Sequence, residues 1–203
     1  MLDRLTRINR KIFLLAAGCV LGVFGAGTDA AIITGYTVVG NGNGTATVQI
    51  LNNSIMITGK DFTSLGPIDI VFDTANSGGV TNTYTVAEGI ANNVSPAITW
   101  TDYHEQLGSG TGNNFVDLNT PVNFALPDGN SNFGLMTLGT QSIDMSQGSV
   151  APANTLSVGF DLTVPDSSVA SFTLRQFPSV PEPASLSLLA VGSLGLLARR
   201  RRD

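Results

Sequence analysis

Between Ala31 and Val180 the apolar side chains fall mostly on every second residue, the spacing of a strand that buries one face rather than of a helix. Ile68, Ile70 and Phe72 alternate with Asp69, Val71 and Asp73, and Val80, Tyr84 and Val86 sit among Thr81, Thr83 and Thr85. Leu156, Val158, Phe160, Leu162 and Val164 form the longest such set, and Phe172 with Leu174 repeats it. Gly/Asn/Pro clusters separate the runs, at residues 40–44, 52–53, 76–79, 92–93, 108–114 and 127–130. Thr47–Ile50 and Ile55–Thr58 around Asn52-Asn53 predict a hairpin with a two-residue loop, which brings Ile50 near Ile55. No segment keeps a 3.6-residue period with caps. About ten short strands without crossover helices predict an all-β fold, an antiparallel β-sandwich or jelly roll.

Both ends break this pattern. Arg4, Arg7, Arg10 and Lys11 precede an uncharged run from Ile12 to Ala26, followed by the small residues around Ala30 and Ala31. This order predicts a secretory signal helix cleaved at Ala30 or Ala31, because the run falls short of the ~20 residues that span a bilayer. At the other end Pro181-Glu182-Pro183 precedes an apolar stretch from Ala184 to Ala198, and then Arg199, Arg200, Arg201 and Arg202. The prolines force an extended segment, the Leu-rich run starts a short transmembrane helix, and the arginines hold the tail on the cytoplasmic side. The expected organisation is a signal at 1–30, an outer β domain at 31–174, an extended linker at 175–180 and a sorting segment at 181–203.

That C-terminal order of Pro-Glu-Pro, apolar run and basic cluster resembles the sorting signal of the PEP-CTERM proteins of Gram-negative bacteria. The resemblance implies recognition by a membrane-embedded exosortase that cleaves near the motif and releases or re-anchors the product, often in bacteria that make exopolysaccharide. It assigns a route of inner-membrane intermediate, then cell surface or extracellular matrix. It does not assign an activity, since outer domains in that family are unrelated to one another.

The net charge of −5 hides three unlike parts. Residues 1–30 carry +2, residues 31–180 carry −9 and residues 181–203 carry +2. Lys60 and Arg175 are the only Lys or Arg of the middle region, too few to neutralise a row of phosphates, which excludes nucleic acid as a partner. The single Cys, Cys19, lies in the signal run, so the mature chain is expected to have no disulfide.

Reactive side chains are scarce. His104 is the sole imidazole available as a general base, and no Gly-x-Ser-x-Gly elbow accompanies it. Glu88 and Glu105 are the only glutamates of the outer domain, and a glycosidase needs two carboxyls about 5 to 9 Å apart. Their separation in sequence does not place them together. No His/Cys/Asp/Glu spacing marks a metal site or resident cofactor; calcium is the one ion the Asp- and Asn-rich loops could ligate, though no Asp-x-Asp-x-Asp-Gly loop is present. The densest cluster is Trp100, Asp102, Tyr103 and His104. Flat rings beside polar groups suit a sugar-binding platform, but strand spacing puts Trp100 on the face of Ile98, which reads as a core indole. The leading expectation is an exported, non-catalytic surface or matrix protein with a structural or adhesive role. The alternatives are a carbohydrate- or calcium-binding lectin and a glycan-cleaving enzyme.

Overall fold

Alternating burial along each run is carried through into strands. The computed structural model describes residues 33–75, 81–165 and 170–180. Within them lie β1 (Ile33–Val39), β2 (Gly44–Leu51), β3 (Ser54–Phe62), β4 (Ile68–Thr74), β5 (Asn82–Asn92), β6 (Asp102–Ser109), β7 (Val116–Asp117), β8 (Asn123–Asn130), β9 (Phe133–Leu138), β10 (Ser142–Gly148), β11 (Thr155–Val164) and β12 (Ser171–Ser179), with one 3-10 turn at Gly112–Asn114. The expected signal with Ala30 and Ala31, and the segment 181–203 with Pro181, Glu182, Pro183 and the four arginines, lie outside the described residues, as does Val80.

The strands form two sheets. One runs β1-β4-β12-β6-β10-β9, with β7 also on β6, and the other runs β2-β3-β5-β11-β8. The sheets face each other across one shared core: Phe62 of β3 packs edge-on to Tyr103 of β6 at 6.1 Å. Leu156, Val158, Phe160, Leu162 and Val164 are all buried there, as the period of β11 requires. Each such side chain contributes about 1.5–3 kcal/mol by leaving water. The β2–β3 hairpin has the expected register, Ile50 opposite Ile55. Asn52 takes a positive φ of 53° in its loop, a conformation Asn tolerates better than most residues.

One expectation holds with a single exception, and another is corrected. The sheets are antiparallel, as expected, at every pairing among the described residues except β3–β5, which is parallel. Parallel neighbours need a long crossover, commonly a helix; here the chain crosses through β4, a strand of the opposite sheet. The expected linker at 175–180 is instead the second half of β12, paired along β6 from Arg175↔Gln106 to Ser179↔Asp102. Pro178 is tolerated inside this strand for a local reason. Ser179 turns its carbonyl to the Thr101 N–H at 3.1 Å, so Pro178, one residue earlier, points its nitrogen to the other side. The β4 ladder has already ended there, at Gln176↔Ile68, and no donor is missed.

Candidate functional site

The segment around Trp100 does not keep the simple alternation of a strand. Trp100 makes an isolated bridge with Val150, exchanging both backbone hydrogen bonds at 3.0 and 3.1 Å. Thr101 and Asp102 then both lie part-exposed before β6 turns Tyr103 inward. Trp100 and Tyr103 are both 0% exposed. Their rings stack at 6.2 Å, and Phe62 packs edge-on to the indole at 5.5 Å. These rings are core, and neither offers a face to a sugar. Asp102 accepts from the Thr101 hydroxyl at 2.7 Å.

His104 is left on the outer face of the first sheet, where three strands converge. Its direct neighbours are Asp144 on β10 and Phe177 on β12. The imidazole stacks on the Phe177 ring at 4.9 Å. Nδ1 lies 2.7 Å from Asp144 Oδ1, and Nε2 lies 3.0 Å from Ser179 Oγ. A carboxylate only accepts, so Nδ1 carries the proton facing Asp144, which leaves Nε2 as the atom that meets the Ser179 hydroxyl. That is the contact order of a Ser-His-Asp triad, in which the imidazole can take the hydroxyl proton. Neither Asp144 nor Ser179 was singled out from the sequence. They lie 40 and 75 residues from His104, and only the strand register brings them together.

A second polar cluster fastens a loop to the same face. Arg175 on β12 sits opposite Asp69 on β4 and grips it with Nε and Nη2 at 2.7 and 2.8 Å. Asp69 also accepts from Gly112 N at 2.7 Å and Asn41 Nδ2 at 3.2 Å. Arg175 donates to Gly112 O at 2.8 Å, and its guanidinium lies 3.9 Å from the Phe115 ring centroid. The loop closes tightly over β6 because position 108 is glycine: a Cβ there would lie 2.3 Å from Val116 O and 2.7 Å from the Phe115 ring. An alternating pattern puts Asp69 outward, yet it is 0% exposed beneath this loop.

The third cluster is inside the core. Glu88 on β5 and Glu105 on β6 are brought together, but at 5% and 0% exposure rather than in a cleft. Lys60 on β3, itself 1% exposed, places Nζ 2.8 Å from Glu88 Oε2. Gln176 on β12 donates Nε2 to Glu88 Oε1 at 2.6 Å, bonding one sheet to the other. Neither carboxyl oxygen of Glu105 makes a hydrogen bond of full geometry among the described residues, although the Gln176 amide is close enough to act on it. Burial above all, then the charge of Glu88, holds the Glu105 carboxyl well above its usual range, against the opposing pull of Lys60 and the Gln176 amide. Burial likewise raises the Tyr103 phenol, with Glu88 and Glu105 adding to it.

Comparison with known proteins adds one finding. Residues 179–202 match the PEP-CTERM protein-sorting motif, a segment that begins at Ser179, the last residue of β12. No curated protein and no solved structure matches the chain.

Proposed function

We infer that this chain, which carries the PEP-CTERM protein-sorting motif at residues 179–202, is an exosortase substrate whose β-sandwich domain is delivered to the cell surface or matrix as a structural or adhesive module. The observation that carries this reading is continuity. The sorting motif begins on the last residue of β12, a strand that pairs with β4 on one side and β6 on the other. Cutting near Pro181-Glu182-Pro183 therefore frees a domain with almost no stalk. The composition supports a non-catalytic role: Lys60 and Arg175, the only Lys or Arg between residues 31 and 180, are both spent on internal carboxylates. The exterior is left with aspartates, which repel an acidic polysaccharide unless a divalent cation such as calcium bridges the two.

The test replaces Arg199, Arg200, Arg201 and Arg202 together with neutral residues. Insertion scales assign about 2.5–3.5 kcal/mol to each Arg at a membrane-helix centre, so the wild-type tail is arrested and the variant is expected to leak past the membrane uncut. Arrest and cleavage at the wild-type level would overturn the role given to the arginines. Replacing Pro181 and Pro183 instead is expected to leave arrest intact and reduce cleavage.

A second reading rests on the His104 contacts alone. Ser179 Oγ with His104 and Asp144 has the connectivity of an acyl-transfer nucleophile. A fluorophosphonate probe that labels wild type but not Ser179→Ala supports it, and no labelling of the folded domain removes it.

A further inference from the structure

The core cluster of Lys60, Glu88, Glu105 and Gln176 has no part in sorting, and its chemistry goes beyond the reading above. A primary amine and a carboxyl are held 2.8 Å apart at 1% and 5% exposure. Water is excluded, so the condensation of the two into an amide is not opposed by bulk water as it is in solution. From this geometry we propose that Lys60 and Glu88 form an intramolecular isopeptide cross-link, with Glu105 as the proton-transfer group and Gln176 as the carboxyl-polarising group.

The steps balance without an added reagent. Lys60 Nζ passes a proton to Glu88 Oε2 across their 2.8 Å contact, which converts the ion pair into a neutral amine and a neutral acid. The Nζ lone pair then attacks Glu88 Cδ, forming the N–C bond. Negative charge develops on Oε1, the oxygen that already accepts from Gln176 Nε2 at 2.6 Å, a preorganised donor where the oxyanion appears. Protonated Glu105 gives a proton to the Oε2 hydroxyl, the Oε1 oxyanion re-forms the carbonyl as the C–O bond breaks and Oε2 leaves as water, and the Glu105 carboxylate then takes the surplus proton from nitrogen. No oxidation state changes. Glu105 is buried within coulombic reach of both Glu88 and Lys60, which places its carboxyl beside the reacting pair. Burial raises its pKa and so favours the protonated form, the form that can give a proton before it takes one.

The product would tie β3 to β5, the one parallel pair among the described strands. A cross-link there closes the crossover through β4 into a covalent loop, in a mature chain with no cysteine to do so.

The experiment is peptide mass spectrometry on the full chain isolated from its producing cells, so that processing at either end does not enter the readout. After denaturation, digestion with chymotrypsin is expected to yield one branched peptide that contains Lys60 and Glu88 and is lighter than the two separate peptides by one water. Trypsin is expected to leave the Lys60–Asp61 bond uncut. Glu105→Gln is expected to keep the near-ultraviolet circular dichroism of the folded domain and to show the two peptides free, with Lys60 cleaved by trypsin. Free Lys60 and Glu88 peptides from the folded wild-type protein would overturn the proposal, as would a link from Lys60 to any other residue. A link that persists undiminished in Glu105→Gln would overturn the role of Glu105.

Discussion

At the scale of single residues, the domain's charges divide by how they are satisfied. Asp69 is sealed from solvent and receives Arg175, Gly112 and Asn41. Removing the guanidinium strands a buried carboxylate, a loss that typically costs about 3–5 kcal/mol, more than the intact pair contributes over an apolar replacement. Arg175→Met is therefore expected to lower the denaturant midpoint sharply, and Arg175→Lys to lower it less, because a lysine keeps the charge but not the paired fork. Chemical unfolding of the two variants beside wild type measures the difference.

Glu105 behaves in the opposite sense. Unfolded, its carboxyl ionises near the ordinary value of 4.5, whereas in the fold it stays protonated to higher pH. The native state then binds more protons than the unfolded state above that value, so this contribution to stability is whole below pH 4.5 and is lost as pH rises. Glu105→Gln keeps the shape and removes the titration. Its stability is expected to decline less than that of wild type between pH 5 and 8, about the range in which most domains are most stable. Parallel declines in the two proteins would mean that Glu105 is already ionised in the fold.

At the scale of elements, the sequence was most readable where neighbours in the chain are neighbours in space. The β2–β3 hairpin follows from Asn52-Asn53 and its flanking alternation, and β11 from five apolar residues in step. Three features were hidden because distant strands create them. The parallel β3–β5 pair depends on where β4 goes, and the two inward turns of Trp100 and Tyr103 depend on the bridge to Val150. Lys60, Glu88 and Glu105 meet because three strands of two sheets aim them at one point, although a charged residue at an inward position of an alternating run was a visible sign. The prolines in and after residues 175–180 suggested a linker, but Arg175, Gln176, Phe177, Pro178 and Ser179 are all paired with β6. A mature chain ending at residue 174 would lose those pairings together with Arg175, the charged partner of Asp69. Such a chain is expected to show no cooperative thermal transition by circular dichroism, whereas one ending at residue 180 keeps it. Equal transitions for the two would mean that the end of β12 contributes nothing to the sheet.

At the scale of the whole molecule, an acidic β domain stands between two basic ends, and β12 hands the chain directly to the sorting motif. The His104–Asp144–Ser179 contacts lie at that junction and brace Ser179, the residue on which the motif begins. Export and C-terminal cleavage together require two new termini in the surface protein, one near Ala30 or Ala31 and one near Pro181-Glu182-Pro183. The most direct measurement is terminal sequencing by mass spectrometry of the protein released from the cell surface or matrix, beside the membrane-bound form. The expected result is a released chain that lacks residues 184–203, with the longer form confined to membranes. A released chain that still carries Arg199–Arg202 would contradict sorting by cleavage at this motif.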